Sequence, residues 1–518
     1  MKINNIWLLA ILLVGFTACE SEDDSLADPL TPDPMAVGEP QTYSSGSADF
    51  STFVAVGNSL TAGYSDGSLF IKGQEASFPN ILAQQFALAG GGSFTQPLTN
   101  DNTGGLLIGG SQIPGFGPRL IFDAANQTPV TVSGTPTTDI TNVNPGPYNN
   151  MGVPGAKSFH LLAPGYGNIA NFPAAANPYF VRMASSPNAT VLEDAMALNP
   201  TFFSLWIGNN DVLGYATTGG DGTNPITDTA TFNAAMGAAV ATLTSENAEG
   251  IISNIPNVTD APYFTTVPFA PLSPANPAFA PQIPVLNATF APLNQAFAFL
   301  GMPERQIVFS TTAASPVVIF DETLPNIAVQ LNAVLQGGGL DPLTAGLLAN
   351  QFAQSRQATA ADLLVLPVSS VIATVNQPYF DQLVGAGVPP TTAGQLAVNG
   401  VTYPLRDRWV VLPSEQTEIA NATATFNQTI SNLATQYDLA LFDVNTFFNG
   451  VATNGFQAGS AFLTADYVTG GTFSLDGVHP SPRGYSVIAN QMIDIINAKY
   501  GSNIPKVNPV DYTGLYLN

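Results

Sequence analysis

Short runs of apolar residues, rich in β-branched and aromatic side chains, recur along the chain and predict buried strands. They cover the segments Thr52–Val56, Thr201–Ile207, Gly250–Ile255, Trp409–Leu412 and Leu439–Val444. Helical patterns precede or follow several of these runs. Because strands that alternate with helices tend to pair in parallel and to be covered by those helices, we predict an α/β fold with a parallel sheet.

Two segments carry apolar residues at helical spacing and predict core helices. The first spans Ser414–Gln436, and its apolar side consists of Ile419, Phe426, Ile430 and Leu433. The second begins at Pro482 and ends at Gly501, since proline suits the first turn of a helix and glycine follows its last turn. The residues predicted to face inward are Tyr485, Ile488, Ala489, Met492 and Ile496.

Three long stretches rich in Gly, Pro, Asn and Thr separate the framework elements, namely Gly90–Pro147, Pro164–Asn199 and Ala261–Arg408. Loops of this length in a compact domain are functional lids or contain further structure. The third stretch has apolar helical patches near Val285–Leu300 and Ile327–Leu348, and it is a candidate cap over a site. We therefore predict one domain at residues 50–518 with a large insert at about 261–408.

Composition limits the partners of this chain. Hydrophobic residues make up 45% of the sequence and support a core, whereas 12 Lys+Arg against 36 Asp+Glu give a formal charge of −24. Such an excess of negative charge repels phosphate backbones, so we predict no nucleic-acid binding. A metal site needs clustered ligands, which two distant histidines and one cysteine do not supply, and we expect neither a metal nor another cofactor.

The N-terminus has the features of an export signal. Met1-Lys2 precedes an apolar run, Ile6–Phe16, that is too short for a membrane span and suits a secretory signal peptide at residues 1–18. The sequence Gly15-Phe-Thr-Ala-Cys19 resembles a bacterial lipobox, which implies lipidation at Cys19 and a membrane anchor. It departs from the pattern at Phe16, where leucine is usual. An ordinary signal peptide with an incidental cysteine is the alternative.

Residues 19–49 are predicted to be a flexible tether, because their acidic and Ser-, Pro- and Thr-rich composition buries too little apolar surface to fold. The run Glu20-Ser-Glu-Asp-Asp24 resembles the surface-export signal of Bacteroidota lipoproteins. A solvated linker explains the same charges equally well. The protein is expected to be an exported lipoprotein of the outer membrane. The periplasmic face and the cell surface are the two alternatives for its location.

A serine near the start of the folded region has the setting of a nucleophile. The strand that begins at Phe53 stops at Gly57-Asn58-Ser59, so the hydroxyl projects from the strand end while the next residues begin a helix. Near the other end, Leu475-Asp-Gly-Val-His-Pro480 places Asp476 three residues before His479. Serine, aspartate and histidine are the components of a hydrolytic triad.

Two further segments have the groups that an oxyanion hole requires. Tyr148–Ala156 is glycine-containing, and glycine lets a backbone N–H approach a substrate closely. Leu205–Asp211 ends a predicted strand with asparagine side chains, whose amides donate hydrogen bonds. Each segment alone is a weak signal, but the order of all four along the chain is informative.

This order resembles that of the GDSL or SGNH hydrolases, over a framework from about Phe50 to Tyr500 that leaves the inserts unexplained. The resemblance implies a three-layer α/β/α sandwich and an ester substrate cleaved through an acyl-enzyme. It also implies a triad of Ser59, Asp476 and His479, with oxyanion donors from Ser59, Gly155 and Asn210. Asn58 stands where the family usually has aspartate, and its short amide is expected to bond the local backbone in the same way.

Competing residues are present for two of these roles. Gly63-Tyr-Ser-Asp-Gly67 matches the G-x-S-x-G pattern, but Ser65 lies well beyond the strand end that Ser59 follows closely. His160 lacks an Asp-x-x-His context and is expected to be structural. Asp211 is expected to support the backbone of its segment rather than to react.

The substrate is the least constrained part of the prediction. Six phenylalanines of the stretch 261–300 are candidates for an acyl pocket, or they form the core of the insert: Phe264, Phe269, Phe279, Phe290, Phe297 and Phe299. An esterase or lipase for apolar acyl esters is therefore one hypothesis. An esterase for acetylated polysaccharides and a non-catalytic surface binding lipoprotein on the same scaffold are the alternatives.

Overall fold

A parallel sheet of five strands lies at the centre of residues 42–518, the part of the chain that the computed structural model describes. The strands are β1 (Phe53–Gly57), β2 (Asn150–Gly152), β3 (Phe202–Trp206), β4 (Glu249–Ser253) and β5 (Ala440–Phe442). Their order across the sheet is β5-β4-β3-β1-β2, and all four pairs are parallel. Four of the five predicted strands are thereby confirmed.

The fifth predicted strand, Trp409–Leu412, does not belong to this sheet, and that part of the prediction was wrong. Only Val410–Val411 is extended, and it pairs antiparallel with Leu363–Leu364 outside the central sheet. Strand β2 takes the remaining place, although its Asn-Met-Gly sequence is not strand-like. The preceding Asn149 extends the ladder instead, because its side chain donates to Phe53 O at 2.8 Å and its carbonyl accepts from Ala55 N.

Eight helices flank the sheet in the described structure. They are α1 (Ser59–Ala62), α2 (Phe78–Ala87), α3 (Val191–Met196), α4 (Asn209–Thr217), α5 (Thr229–Leu243), α6 (Pro413–Gln436), α7 (Val444–Asn454) and α8 (Pro482–Tyr500). Shorter or inserted helices span Ile71–Glu75, Pro178–Val181, Pro262–Thr265, Ile283–Phe299, Ala328–Gly337, Pro342–Phe352, Gln377–Gly385 and Pro390–Leu396.

Helices cover both faces of the sheet, as the alternation of side chains along β1 shows. Val54 and Val56 lie in one hydrophobic cluster with residues of α3, α5 and α6. Phe53 and Ala55 lie in a second cluster with residues of α2, α7 and α8. A strand that is apolar on both faces is typical of a parallel sheet buried between helices. The fold is therefore mixed α/β, compatible with an α/β/α sandwich.

The two predicted core helices are confirmed as α6 and α8. Helix α8 begins as expected, with Pro482 in its first turn and the Ser481 hydroxyl accepting from Gly484 N at 3.0 Å. It ends at Gly501, whose φ of +67° favours glycine. All the residues predicted to face inward on α8 are buried.

The three predicted inserts contain further structure. Residues 90–147 carry two short antiparallel pairs, Leu107–Ile108 with Ser111–Gln112 and Leu120–Asp123 with Thr128–Thr131. The stretch Pro164–Asn199 is not wholly an insert, because α3 lies within it and packs on the sheet. In the largest insert, an antiparallel pair joins Val318–Phe320 to Ser355–Gln357, and many buried residues are continuous with the core on the α3 face.

The folded unit extends from Tyr43 to Asn518. Residues 44–49, which the sequence assigned to the tether, contact the C-terminal end of α8, where Ser47 N donates to Tyr500 O at 2.8 Å. The predicted signal peptide, Cys19 and the tether up to residue 41 lie outside the described residues. Within residues 42–518, no helix is both long and apolar enough to cross a bilayer.

Candidate active site

The carboxyl ends of three neighbouring strands lie side by side and present the predicted site residues. Ser59 follows β1, Gly155 follows β2, and Asn210 follows β3. Because β1 lies between β2 and β3, these ends meet at one edge of the sheet. Ligands of open α/β sheets bind at this edge, so the topology explains how distant segments of sequence reach one place.

The turn that carries Ser59 requires glycine before it. A Cβ atom on Gly57 would lie 2.1 Å from Thr61 Oγ1 and 2.4 Å from Trp206 O, so close packing excludes any larger residue. Asn58 caps the short helix α1, since its Oδ1 accepts from Leu60 N at 3.0 Å. The prediction that this amide bonds the local backbone is confirmed.

Ser59, His479 and Asp476 form a continuous chain of hydrogen bonds. The distance from Ser59 Oγ to His479 Nε2 is 2.8 Å, and the distance from His479 Nδ1 to Asp476 Oδ2 is 3.0 Å. The serine and histidine are 420 positions apart in sequence. In this arrangement one ring nitrogen is placed to take the serine proton, while the carboxylate orients the ring through the other.

Asp476 is held as a carboxylate by several donors. Its Oδ1 accepts from Val478 N at 2.9 Å and from His479 N at 2.8 Å, and its Oδ2 accepts from Gly67 N at 2.9 Å. Burial alone raises the pKa of Asp476, but the His479 ring and the backbone donors outweigh it and lower the pKa from 3.8 to about 2. The aspartate is therefore a carboxylate at any pH well above 2.

The backbone around Ser59 and Gly155 is suited to holding an oxyanion. Within residues 42–518, the N–H groups of these two residues donate no hydrogen bond. Gly155 has a φ of +80°, in the left-handed region that favours glycine. Asn210 Nδ2 donates one hydrogen bond to Ala156 O at 2.9 Å, which ties it to the Gly155 turn and leaves its second N–H for a ligand.

Asp211 stabilises the backbone of the turn after Gly155, as predicted. It is fully buried, and its two carboxylate oxygens accept from Ser158 N and Ser158 Oγ, both at 2.8 Å. These bonds hold the segment after Gly155 against the start of α4. Asp211 is therefore a structural residue of the turn and makes no contact with Ser59.

An apolar cleft opens beside Ser59 and His479. Its apolar lining includes Leu60, Trp206, Leu213, Val258, Phe448 and Phe473. Asn209 and Asn210 supply amide groups near the serine, and Asp260 lies at the margin. A largely apolar cleft with a few convergent polar groups is typical of a small-molecule binding site.

The phenylalanines predicted as candidates for an acyl pocket do not line this cleft, and that alternative was wrong. Phe264, Phe279, Phe290 and Phe297 are buried in the core that the insert shares with the sheet, while the side chain of Phe299 is 79% exposed. Phe269 packs at the edge of the same core. The aromatic residues of the cleft come instead from β3 (Trp206), from α7 (Phe448) and from the segment before Asp476 (Phe473).

The two competing residues lie away from these roles. Ser65 is fully buried and donates to Pro480 O at 3.3 Å, without contact to a histidine. The His160 ring accepts from Lys157 N at 3.0 Å and stacks on Tyr166. Burial, together with the charge of Lys157, lowers the pKa of His160 to about 4, so this ring is neutral. Both residues are structural.

Some contributors could not be recognised in the sequence. Gly67 N–H bonds the triad carboxylate, and Asn209 Oδ1 accepts from Asn58 Nδ2 at 3.2 Å behind the serine. Phe448 and Phe473 have no local pattern that distinguishes them from core residues. No group of three His, Cys, Asp or Glu side chains in residues 42–518 is arranged to hold a metal ion.

Comparison with known proteins adds nothing to this geometry. No protein-family model matches the chain, and no curated protein matches it either.

Proposed function

We propose that this protein hydrolyses carboxylic esters through an acyl-enzyme formed on Ser59. The observation that carries the proposal is the chain of hydrogen bonds from Ser59 through His479 to Asp476. The order of the sequence segments, which resembles that of SGNH hydrolases, and the mixed α/β fold with its parallel sheet support it. An SGNH-like α/β/α sandwich is accordingly the proposed fold class.

The proposed reaction has two halves. Neutral His479 accepts the Ser59 proton as Oγ attacks the ester carbonyl, and it then gives that proton to the leaving alcohol. Asp476 keeps the proton of the ring on Nδ1 and stabilises the imidazolium that forms. In the second half, water attacks the acyl-enzyme by the same route, and the acid is released while Ser59 regains its proton.

The oxyanion of each tetrahedral intermediate is proposed to lie against the N–H groups of Ser59 and Gly155 and the free N–H of Asn210. These donors are fixed by the strand ends and by the bond between Asn210 and Ala156 O, so they need no rearrangement during the reaction. The scheme uses only side chains and backbone groups of this chain, with no cofactor.

The apolar wall of the cleft favours an ester whose acyl group is apolar, such as a lipid ester. One observation favours the second candidate, an esterase for acylated carbohydrates. A polar groove containing Asn449, Thr453 and Thr464 adjoins the cleft and shares Asp260 and Ala452 with it. Hydroxyl and amide groups of this kind bind the hydroxyls of a sugar.

A lipid anchor at Cys19 is proposed separately, on the lipobox-like sequence alone. It would hold the enzyme at the outer membrane through acyl chains, each buried methylene contributing about 0.8 kcal/mol. Labelling of expressing cells with a palmitate analogue should mark the wild-type protein and leave Cys19→Ser unmarked. An unlabelled wild type would remove the anchor from the proposal.

The direct test of the activity is a series of p-nitrophenyl esters from acetyl to long acyl chains. Wild type and Ser65→Ala should hydrolyse these esters, and Ser59→Ala should lose the activity. Retained activity in Ser59→Ala would exclude Ser59 as the nucleophile. An inert wild type that still binds acylated carbohydrate would favour the non-catalytic binding lipoprotein.

A further inference from the structure

Asp66 and Gly67, in the turn after helix α1, make three hydrogen bonds to the loop that carries Asp476 and His479. Asp66 N donates to Ser474 Oγ, and Leu475 N donates to Asp66 Oδ1, both at 2.9 Å. Gly67 N donates to Asp476 Oδ2, as described above. Together these bonds join residues more than 400 positions apart, on either side of the proposed triad.

The residues that flank Asp66 strengthen the same connection. Tyr64 packs its ring against the His479 ring with a centroid distance of 4.6 Å, and its carbonyl accepts from Tyr485 OH at 2.7 Å. Ser65 donates to Pro480 O. The segment Tyr64–Gly67 therefore contacts the acid-base loop at its beginning, at its end and at the histidine itself.

Asp66 is unusual in its backbone and its environment. It is 3% exposed and has a φ of +51°, a conformation that side chains other than glycine rarely adopt. Its Oδ2 lies 4.0 Å from Arg119 Nη1, and the Arg119 guanidinium stacks between the rings of Phe70 and Tyr516. A non-glycine residue in this backbone conformation is strained, and the contacts of the surrounding structure must offset the cost of that strain.

We propose that Asp66 is a positioning residue whose side chain holds the Asp476–His479 loop at the distance from Ser59 that proton transfer requires. This inference rests on the proposed function. Asp66 contacts neither Ser59 nor the cleft, and it acts through the backbone of Leu475. The G-x-S-x-G sequence at Gly63–Gly67 then has a role as the support of the triad, not as a nucleophile turn.

The charge state of Asp66 is consistent with this role. Burial raises its pKa to about 7, the Leu475 N–H and Arg119 oppose this rise, and Asp476 adds to it. Below that pH the side chain is neutral, so the loop is held without a second negative charge beside Asp476. A neutral asparagine at position 66 reproduces the protonated carboxyl and keeps the oxygen that accepts from Leu475 N.

The test compares Asp66→Ala and Asp66→Asn with Asp362→Ala. Asp362 is also a buried aspartate, paired with Arg356 at 2.7 Å and accepting from Thr359 N, but it lies in the insert outside the cleft. It controls for the loss of a buried carboxylate. Two properties are measured. The first is kcat and KM on a p-nitrophenyl ester, and the second is the NMR chemical shift, at fixed pH, of the proton on His479 Nδ1, which can be assigned because the chain has 2 histidines.

We expect Asp66→Ala to lower kcat by about 10-fold to 100-fold with little change in KM, because small displacements of reacting groups have effects of this size. The resonance of the proton on His479 Nδ1 should move upfield as its hydrogen bond to Asp476 loosens. Asp66→Asn should recover most of both properties, and Asp362→Ala should change neither. Ser474→Ala, which removes the second bond to Asp66, should show a smaller effect in the same direction.

Wild-type values of kcat and of the Nδ1 proton shift in Asp66→Ala would overturn the inference. If Asp66→Ala does not fold, unchanged values in Asp66→Gly would overturn it instead, because glycine also lacks the acceptor for Leu475 N and suits the positive φ at this position. Equal losses in Asp66→Ala and Asp362→Ala would reduce Asp66 to a stabilising residue. A displaced Nδ1 proton resonance in Asp66→Ala together with an inert wild type would retain the positioning role and refute ester hydrolysis, so the two failures are distinguishable.

Discussion

The oxyanion role of Asn210 makes a quantitative prediction for the variant Asn210→Ala. One N–H of its amide is bonded to Ala156 O, and the other is free to meet the oxyanion. Removing one such donor lowers kcat by about 100-fold to 1000-fold, which corresponds to roughly 2.7–4 kcal/mol of transition-state stabilisation. The lost bond to Ala156 should also lower the free energy of unfolding by about 1 kcal/mol.

These two effects are separable by experiment. Steady-state hydrolysis of p-nitrophenyl butyrate should show the loss in kcat with a nearly unchanged KM, since the donor acts mainly on the charged intermediate. Urea unfolding should show the small loss of stability. The loss of stability cannot produce the loss in kcat, because a protein whose free energy of unfolding falls by about 1 kcal/mol remains folded.

Asn209→Ala is the matched control. Asn209 is the adjacent residue, is buried, and uses its side-chain oxygen to accept from Asn58 Nδ2 behind the serine. Its replacement should affect stability more and kcat less than Asn210→Ala. A kcat for Asn210→Ala within about threefold of wild type would refute the assignment, and a larger loss in Asn209→Ala would move the donor role to that residue.

Three further predictions concern the cleft, the nucleophile turn and the response to acid. Ala452→Trp narrows the cleft that Ala452 lines, so kcat/KM for octanoyl relative to acetyl esters should fall, and each excluded methylene should cost about 0.8 kcal/mol of binding free energy. An unchanged chain-length profile would place the acyl group elsewhere. Gly57→Ala puts a methyl group 2.1 Å from Thr61 Oγ1, so it should lower the free energy of unfolding by about 1–3 kcal/mol and impair hydrolysis. Thermal unfolding measures the first effect, and an unchanged stability would show that the turn relaxes. Because folding lowers the pKa of Asp476 from 3.8 to about 2, its carboxylate contributes about 2 kcal/mol to the free energy of unfolding above the unfolded pKa, and this contribution is lost as the pH falls through about 2. Urea unfolding of Asp476→Asn at different pH values should lack this part of the acid dependence. An identical pH dependence of stability in both proteins would contradict the prediction.

The framework of the fold could be predicted because its pattern is local. Six elements have an apolar pattern that identifies each of them as a strand or a helix, namely β1, β3, β4, β5, α6 and α8. Strand β2 does not, since Asn150–Gly152 becomes a strand only through its pairing with β1. Val410–Val411 shows the converse, because a run of suitable residues pairs with a segment of the insert that no local pattern indicates.

The proposed site residues could be selected from the sequence because few residues had the required chemistry. The chain has 2 histidines, and only His479 has an aspartate at the right spacing. The wall of the cleft could not be predicted. The phenylalanines of the insert and those of α7 have similar neighbours in sequence, and only tertiary packing decides that Phe290 faces the core while Phe448 faces the cleft.

The proposed positioning role of Asp66 could not be predicted from its neighbours in sequence either. Asp66 lies inside a motif that resembles a nucleophile turn, and its burial and its bond to Leu475 N depend on segments more than 400 residues away. A buried carboxyl has no signature in the sequence, because aspartate is usually exposed. The positive φ of Asp66 is equally invisible there.

Covalent labelling with an alkyl fluorophosphonate shows whether Ser59 is an activated nucleophile, because this reagent phosphonylates a serine only when a neighbouring base activates it. Peptide mass spectrometry of the labelled wild type should find one phosphonyl group on Ser59, formed with loss of fluoride. His479→Ala should remain unlabelled, and Ser65→Ala should label as wild type does. A label on Ser65, or a folded wild type that never reacts, would exclude Ser59 as the nucleophile.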